Sequence, residues 1–170
     1  MTRARLACLF ALMLLCGGAE AADPMKLGLP PIPYPAGNSS TPDKVALGKK
    51  LFFDTRLAAD GKMACATCHD PAEGFTTNGS ATHPGSGGWP LKRNAPTVLN
   101  AAFEQALLWN GGMPSLEALA WGPMLNAEEM ANLSATAVLE RISALPDYAG
   151  MFERAFAGAG ASKEIGRAHV

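Results

Sequence analysis

The sequence predicts a mainly α fold with long irregular loops, and three observations carry that prediction. Apolar residues recur at helical spacing in several short segments. Those segments open on hydroxyl or proline start signals, as at Thr41-Pro42 and Ser134. No run alternates apolar and polar residues over the length of a strand, so nothing asks for a sheet. The 170 residues are one domain's worth of chain, and the formal net charge of −1 gives no reason to expect nucleic acid or an anionic membrane surface as a partner.

The elements follow in order. Arg3 and Arg5 precede an apolar run from Leu6 to Cys16, and a small-residue stretch then ends in Ala19-Glu20-Ala21. This is the pattern of a secretory signal peptide, 1–21, cleaved after Ala21; the run is too short to span a membrane. Lipid attachment at Cys16 is the alternative, disfavoured by the bulky Leu15 before it. Residues 22–41 are proline-rich and read as an extended arm. Thr41-Pro42 opens a helix with Val45, Leu47, Leu51 and Phe52 on its apolar face, and a turn runs from Asp54 to Gly61. A short helix starts near Cys65. The Gly-, Ser-, Thr- and Pro-rich stretch from Gly74 to Arg93 is a long loop, of the kind that often carries function. Short helices are expected over 96–103 and 115–121, and another from Asn126, where Glu129 three residues on makes a capping-box pattern. Ser134 to Leu145 is the clearest helix, ended by Pro146, and 148–156 forms a last amphipathic turn or two.

The chemistry lies in Cys65-Ala66-Thr67-Cys68-His69. C-x-x-C-H is the attachment signature of c-type haem: two thiols add across the porphyrin vinyl groups, and the adjacent imidazole reaches the iron. Signal cleavage would remove Cys8 and Cys16, leaving this one pair. A disulfide or a redox dithiol is the other use of such a pair. The following histidine and the export signal favour haem. A zinc site needs more ligands than His83 and His169, the other histidines, provide.

The last residues, Glu164-Ile165-Gly166-Arg167-Ala168-His169-Val170, have no connection in pattern with the chain before them. They can be encoded by GAG ATC GGA AGA GCA CAC GTC, a common sequencing-adapter sequence. The expectation is a non-native tail over 164–170 and a true frame that continues elsewhere, with His169 excluded as a ligand.

Several ordered blocks resemble the bacterial di-haem cytochrome c peroxidases and their MauG-like relatives. They are residues 47–57 (Leu47-Gly48-Lys49-Lys50-Leu51-Phe52-Phe53-Asp54-Thr55-Arg56-Leu57), the haem motif with Asp70-Pro71 and Gly74-Phe75, and 93–103 from Arg93-Asn94-Ala95-Pro96 to Phe103. Trp109, Ser115-Leu116-Glu117, Gly122-Pro123 and Glu129-Met130 complete them, over roughly 28–157. The resemblance implies a cytochrome c-like domain over 42–163, matching the N-terminal half of the family with its peroxide-reacting haem, while a second haem domain is missing. It also implies a periplasmic enzyme that reduces hydrogen peroxide with electrons from a small cytochrome c or copper protein, and a homodimer when full length. No nucleic acid and no transmembrane segment are expected in the mature protein.

The resemblance carries roles residue by residue. His69 is the proximal iron ligand. Glu129 matches the distal acid-base glutamate, with Glu128 as the register alternative and capping as the bland role. Trp109 matches the tryptophan between the two haems, on ground where the second domain would pack; a core aromatic is the plainer reading. His83 is a candidate distal iron ligand on the long loop, or a solvated loop residue. Asn94 matches an interface calcium ligand whose companions would come from the missing half. Arg93 and Arg56 are candidates for the haem propionates. Three positions depart from the family: Leu119 stands where a distal glutamine is usual, and Asn110 and Gly112 replace an aspartate and an arginine. Two other functions stay open at this point. One is MauG-like oxidation of a protein or organic substrate. The other is a plain electron-carrying cytochrome, with Met113, Met124 or Met130 closing the iron.

Overall fold

The computed structural model describes residues 28–157 and 164–168, so the expected signal peptide, residues 22–27 of the N-terminal arm and His169 lie outside the described residues. The chain divides into two units, Met1–Ile32 and Pro33–Val170. Of the first, 28–32 is irregular chain with Leu29 and Ile32 exposed.

The second unit is helical, as expected, and its only β pairing among the described residues is three isolated bridges. Helix α1 (Pro42–Phe53) starts as the sequence dictates: Thr41 Oγ1 accepts from Lys44 N at 3.2 Å, and proline occupies the first turn, where a missing N–H costs nothing. Leu47 and Leu51, one turn apart, are fully buried. Each contributes about 1.5–3 kcal/mol of burial. Asp54 ends α1 and caps a 3-10 turn, Thr55–Leu57. Its carboxylate joins this corner to the later 3-10 turn Pro146–Tyr148. Arg56 Nη2 bridges Asp54 Oδ2 (2.6 Å) and Asp147 Oδ2 (2.7 Å), and Tyr148 donates its hydroxyl to Asp54 at 2.8 Å. Arg56, a candidate propionate partner or surface charge on the sequence, is thus paired with two carboxylates.

Helix α2 is the single turn Cys65–Cys68, packed on α1. The chain from His69 to Ser115 is loop with three 3-10 turns. The helix expected over 96–103 shrinks to Ala101–Phe103, because Asn100 sits at φ 61° and breaks the right-handed path.

Helix α3 (Leu116–Leu125) begins on Ser115, whose Oγ accepts from Ala118 N at 3.2 Å, and runs past the expected end at 121 through Pro123. The helix expected from Asn126 does not form. Asn126 instead ends α3, its N–H bonding Gly122 O, and 126–131 is a run of turns with Ala131 at φ 57°. Helix α4 (Ala135–Ser143) is capped by Ser134 and buries Val138 and Ile142; α5 (Met151–Ala155) follows Gly150, whose φ of 72° makes the corner.

The core gathers Leu47 and Leu51 of α1, Leu57, Met124 of α3, Val138 and Ile142 of α4, and Phe152 of α5. The last turn, α6 (Ile165–Ala168), lies within the segment the sequence sets apart as a tail. It packs on α3 and α1, with Ile165 fully buried. Gly166 makes that approach possible: an added Cβ would lie 2.6 Å from Glu117 O.

Candidate haem site

The haem motif is presented by α2. Ala64 N donates to Thr67 Oγ1 (2.9 Å), which starts the turn, and His69 ends it with its N–H on Cys65 O (3.0 Å). Cys65 and Cys68 are free thiols. Burial pushes the Cys65 thiol up to about 11. Cys68 is also raised, by burial first and then by the negative charge of Glu129. Among the described residues no cluster of three or more His, Cys, Asp or Glu could hold a metal ion. Two thiols for a ring and one imidazole for its iron need no such convergence, so the residues fit a covalently attached haem.

The imidazole is oriented from behind. His69 Nδ1 lies 3.2 Å from Phe75 O, and that carbonyl requires Nδ1 to carry the proton, leaving the Nε2 lone pair for iron. Phe75 reaches this position through a left-handed backbone, φ 59°, just after Gly74 at φ 72°. Phe75 N donates to Asp70 O (2.7 Å), Asp70 N to Thr76 O (3.2 Å), Thr76 Oγ1 to Ala95 O (2.5 Å) and Thr97 Oγ1 to Gly74 O (2.6 Å). The Phe52 ring packs 6.5 Å from His69 and 6.1 Å from Phe75.

Glu129 is brought to the same region. It lines a cleft of about 260 Å³ with Asp60, Lys62, Met63 and residues 85–88. The Gly85–Gly88 wall is seated directly on the glutamate turn: Ser86 N donates to Glu128 O at 3.0 Å. A Cβ on Gly85 would collide with that carbonyl oxygen and with Leu91 Cδ2 at 2.8 Å. Glu128, the register alternative, points its carboxylate to Lys92 (3.0 Å). Asn126 Nδ2 donates to Glu129 Oε1 at 2.8 Å. The capping pair expected from sequence thus exists as a side-chain contact without the helix.

The turn is anchored from below by two residues that sequence reading did not single out. Asn132 is buried; its Nδ2 donates to Leu57 O and Met124 O, both at 2.8 Å, and its Oδ1 accepts from Arg141 Nη1 at 2.8 Å. Arg141 also reaches Arg56 O and Ala58 O, each at 3.3 Å. The one available signal was an asparagine between two apolar residues, too weak to read alone.

The remaining candidates lie apart. Trp109 is fully exposed, on a loop where Asn110 Oδ1 accepts from Gly112 N. His83 Nδ1 faces Pro84 O at 2.6 Å. Arg93 and Asn94 are exposed and make no hydrogen bond or ion pair among the described residues. Leu119 is half-buried on α3. Met124 and Met130 are core residues.

Fold and site together define a helical c-type haem domain. The comparisons make the assignment narrower. The model of the family described as di-haem cytochrome c peroxidase matches residues 42–170, and the chain belongs to that family. It is 46% identical over 139 residues to the methylamine utilization protein MauG of Methylorubrum extorquens, covering 82% of this chain and 38% of that protein. To the cytochrome c551 peroxidase of Pseudomonas aeruginosa it is 40% identical over 114 residues, 67% of this chain and 32% of that one. A solved MauG-like protein associated with microbial copper homeostasis superimposes with a TM-score of 0.70 at 28% identity, covering 82% of this chain and 44% of the other. The chain therefore spans less than half the length of each of these relatives.

Proposed function

We propose that this chain is the peroxide-reacting haem domain of a periplasmic di-haem cytochrome c peroxidase. The observation that carries the reading is the placement of Glu129: about sixty positions from the haem motif, it lines a cleft and lies close enough to Cys68 for its charge to raise that thiol. Cys65 and Cys68 would hold the porphyrin, and His69 Nε2 would bind its iron. The bound haem supplies the two-electron chemistry that splits the peroxide O–O bond. The protein's part is protons. The Glu129 carboxylate takes a proton from one peroxide oxygen and returns it to the other, so the leaving group departs as water. Two electrons and two further protons complete the conversion to two waters. The electrons would come from a small redox protein through a second haem domain, with exposed Trp109 on the route. Asn94 would add one oxygen to a calcium site completed from outside this chain.

The test is Glu129→Gln in the haem-loaded protein. The reaction with hydrogen peroxide should slow by about a hundredfold or more, with the haem absorption spectrum unchanged. An unaltered rate would overturn the assignment. The gene downstream of Ser162 should encode a second C-x-x-C-H; a stop codon right after Val170 in an authentic clone would refute the two-haem reading. A second reading, MauG-like oxidation of a protein or organic substrate, is favoured by the higher identity to MauG. Turnover of peroxide with a small reduced cytochrome separates the two.

A further inference from the structure

Every polar group of Asn126 is used within its own turn. Its N–H donates to Gly122 O (3.0 Å), and its backbone carbonyl accepts from Glu129 N (3.0 Å) and Ala131 N (2.9 Å). Its side-chain oxygen accepts from Glu128 N at 3.0 Å, and its side-chain nitrogen donates to Glu129 Oε1 at 2.8 Å. The two ends of the amide cannot be exchanged, because one faces an N–H and the other a carboxylate.

We propose that Asn126 is the positioning residue of the site: it holds Glu129 by one carboxylate oxygen and leaves Oε2 as the oxygen that handles the proton. This rests on the reading of Glu129 as the acid-base group. A free glutamate side chain samples several rotamers, and a proton relay works only within hydrogen-bond reach of both peroxide oxygens. The turn is tied down at its far end, where Asn132 donates to the carbonyls of Leu57 and Met124 and accepts from Arg141. A glutamate held only by its backbone would not need the amide.

The experiment is a double-mutant cycle on the haem-loaded protein, read by stopped-flow reaction with hydrogen peroxide and by the haem spectrum. Asn126→Ala should slow the reaction by about tenfold in the parent and leave the already slow Glu129→Gln variant unchanged, because the two residues act as one unit. Asn126→Asp keeps the acceptor for Glu128 N but sets a like charge beside Glu129. It should slow the reaction at least as much as Asn126→Ala does, since a carboxylate cannot donate to Glu129 Oε1. The other charges around the carboxylate are Asp60 and Lys62 on the cleft and Glu128, already paired with Lys92. Equal losses from Asn126→Ala in both backgrounds mean a purely structural role and overturn the inference. So does a full rate in Asn126→Asp, which keeps the cap on Glu128 N but not the donor to Glu129. A full rate in Glu129→Gln overturns the glutamate reading and this inference together. A slow Glu129→Gln beside a full-rate Asn126→Ala overturns this inference alone.

Discussion

Replacing Asn132 by alanine should cost this domain a large part of its stability. Asn132 is 4% exposed. The substitution removes two donated hydrogen bonds at 2.8 Å, to Leu57 O and Met124 O, and one accepted at 2.8 Å from the Arg141 guanidinium. Met124 O keeps the Asn132 backbone N–H at 3.2 Å, and among the described residues Leu57 O keeps only Arg141 at 3.5 Å. Two neutral bonds and one charged bond, with little rescue, come to roughly 3–4 kcal/mol. For a domain of this size that lowers the melting temperature by on the order of 10–15 °C. Thermal unfolding followed by far-ultraviolet circular dichroism reads it directly. A drop of less than about 3 °C would mean that the buried amide is not the anchor of the glutamate turn. Asn132→Asp should fare no better: it can keep the Arg141 pair but turns a carboxylate towards two carbonyl oxygens.

Two further outcomes concern protons. Arg56 hydrogen bonds hold the Asp54 carboxyl below the ordinary carboxylate range, with Tyr148 assisting against the opposing effect of burial. A depressed carboxylate stabilises the fold above its unfolded value, near 3.9, and that stabilisation is lost as pH falls through the folded value. Acid unfolding should therefore be shallower in Asp54→Asn than in the parent, and parallel acid limbs would refute the coupling. In the haem-free chain, the Cys65 thiol, pushed up to about 11 by burial, should be slow to alkylate at pH 8. Two pH units above the ordinary value of 9.0 mean about a hundredfold less thiolate. Iodoacetamide labelling followed by mass spectrometry checks this, and equal labelling rates in native and urea-unfolded chains would contradict it.

The chain by itself determined whatever is local. Five consecutive residues carry the haem-attachment signature, because two thiols and an imidazole need only a fixed spacing along one turn. Thr41-Pro42, Ser115 and Ser134 set the starts of α1, α3 and α4, because a capping oxygen reaches N–H groups only two or three residues on. Asn126 shows the limit of that logic. Its side chain can open a helix or close a turn, and the sequence reads as an opening; in the fold it closes α3 and holds Glu129 instead. Only the tertiary structure placed Glu129 near Cys68, aimed the Phe75 carbonyl at His69, and seated Asn132 on Leu57 and Met124. Glu129–Cys68 and Asn132–Leu57 join segments far apart in the chain, and the two shorter contacts depend on how irregular loop and turn fold back; no periodicity or spacing records which carbonyl a side chain will meet.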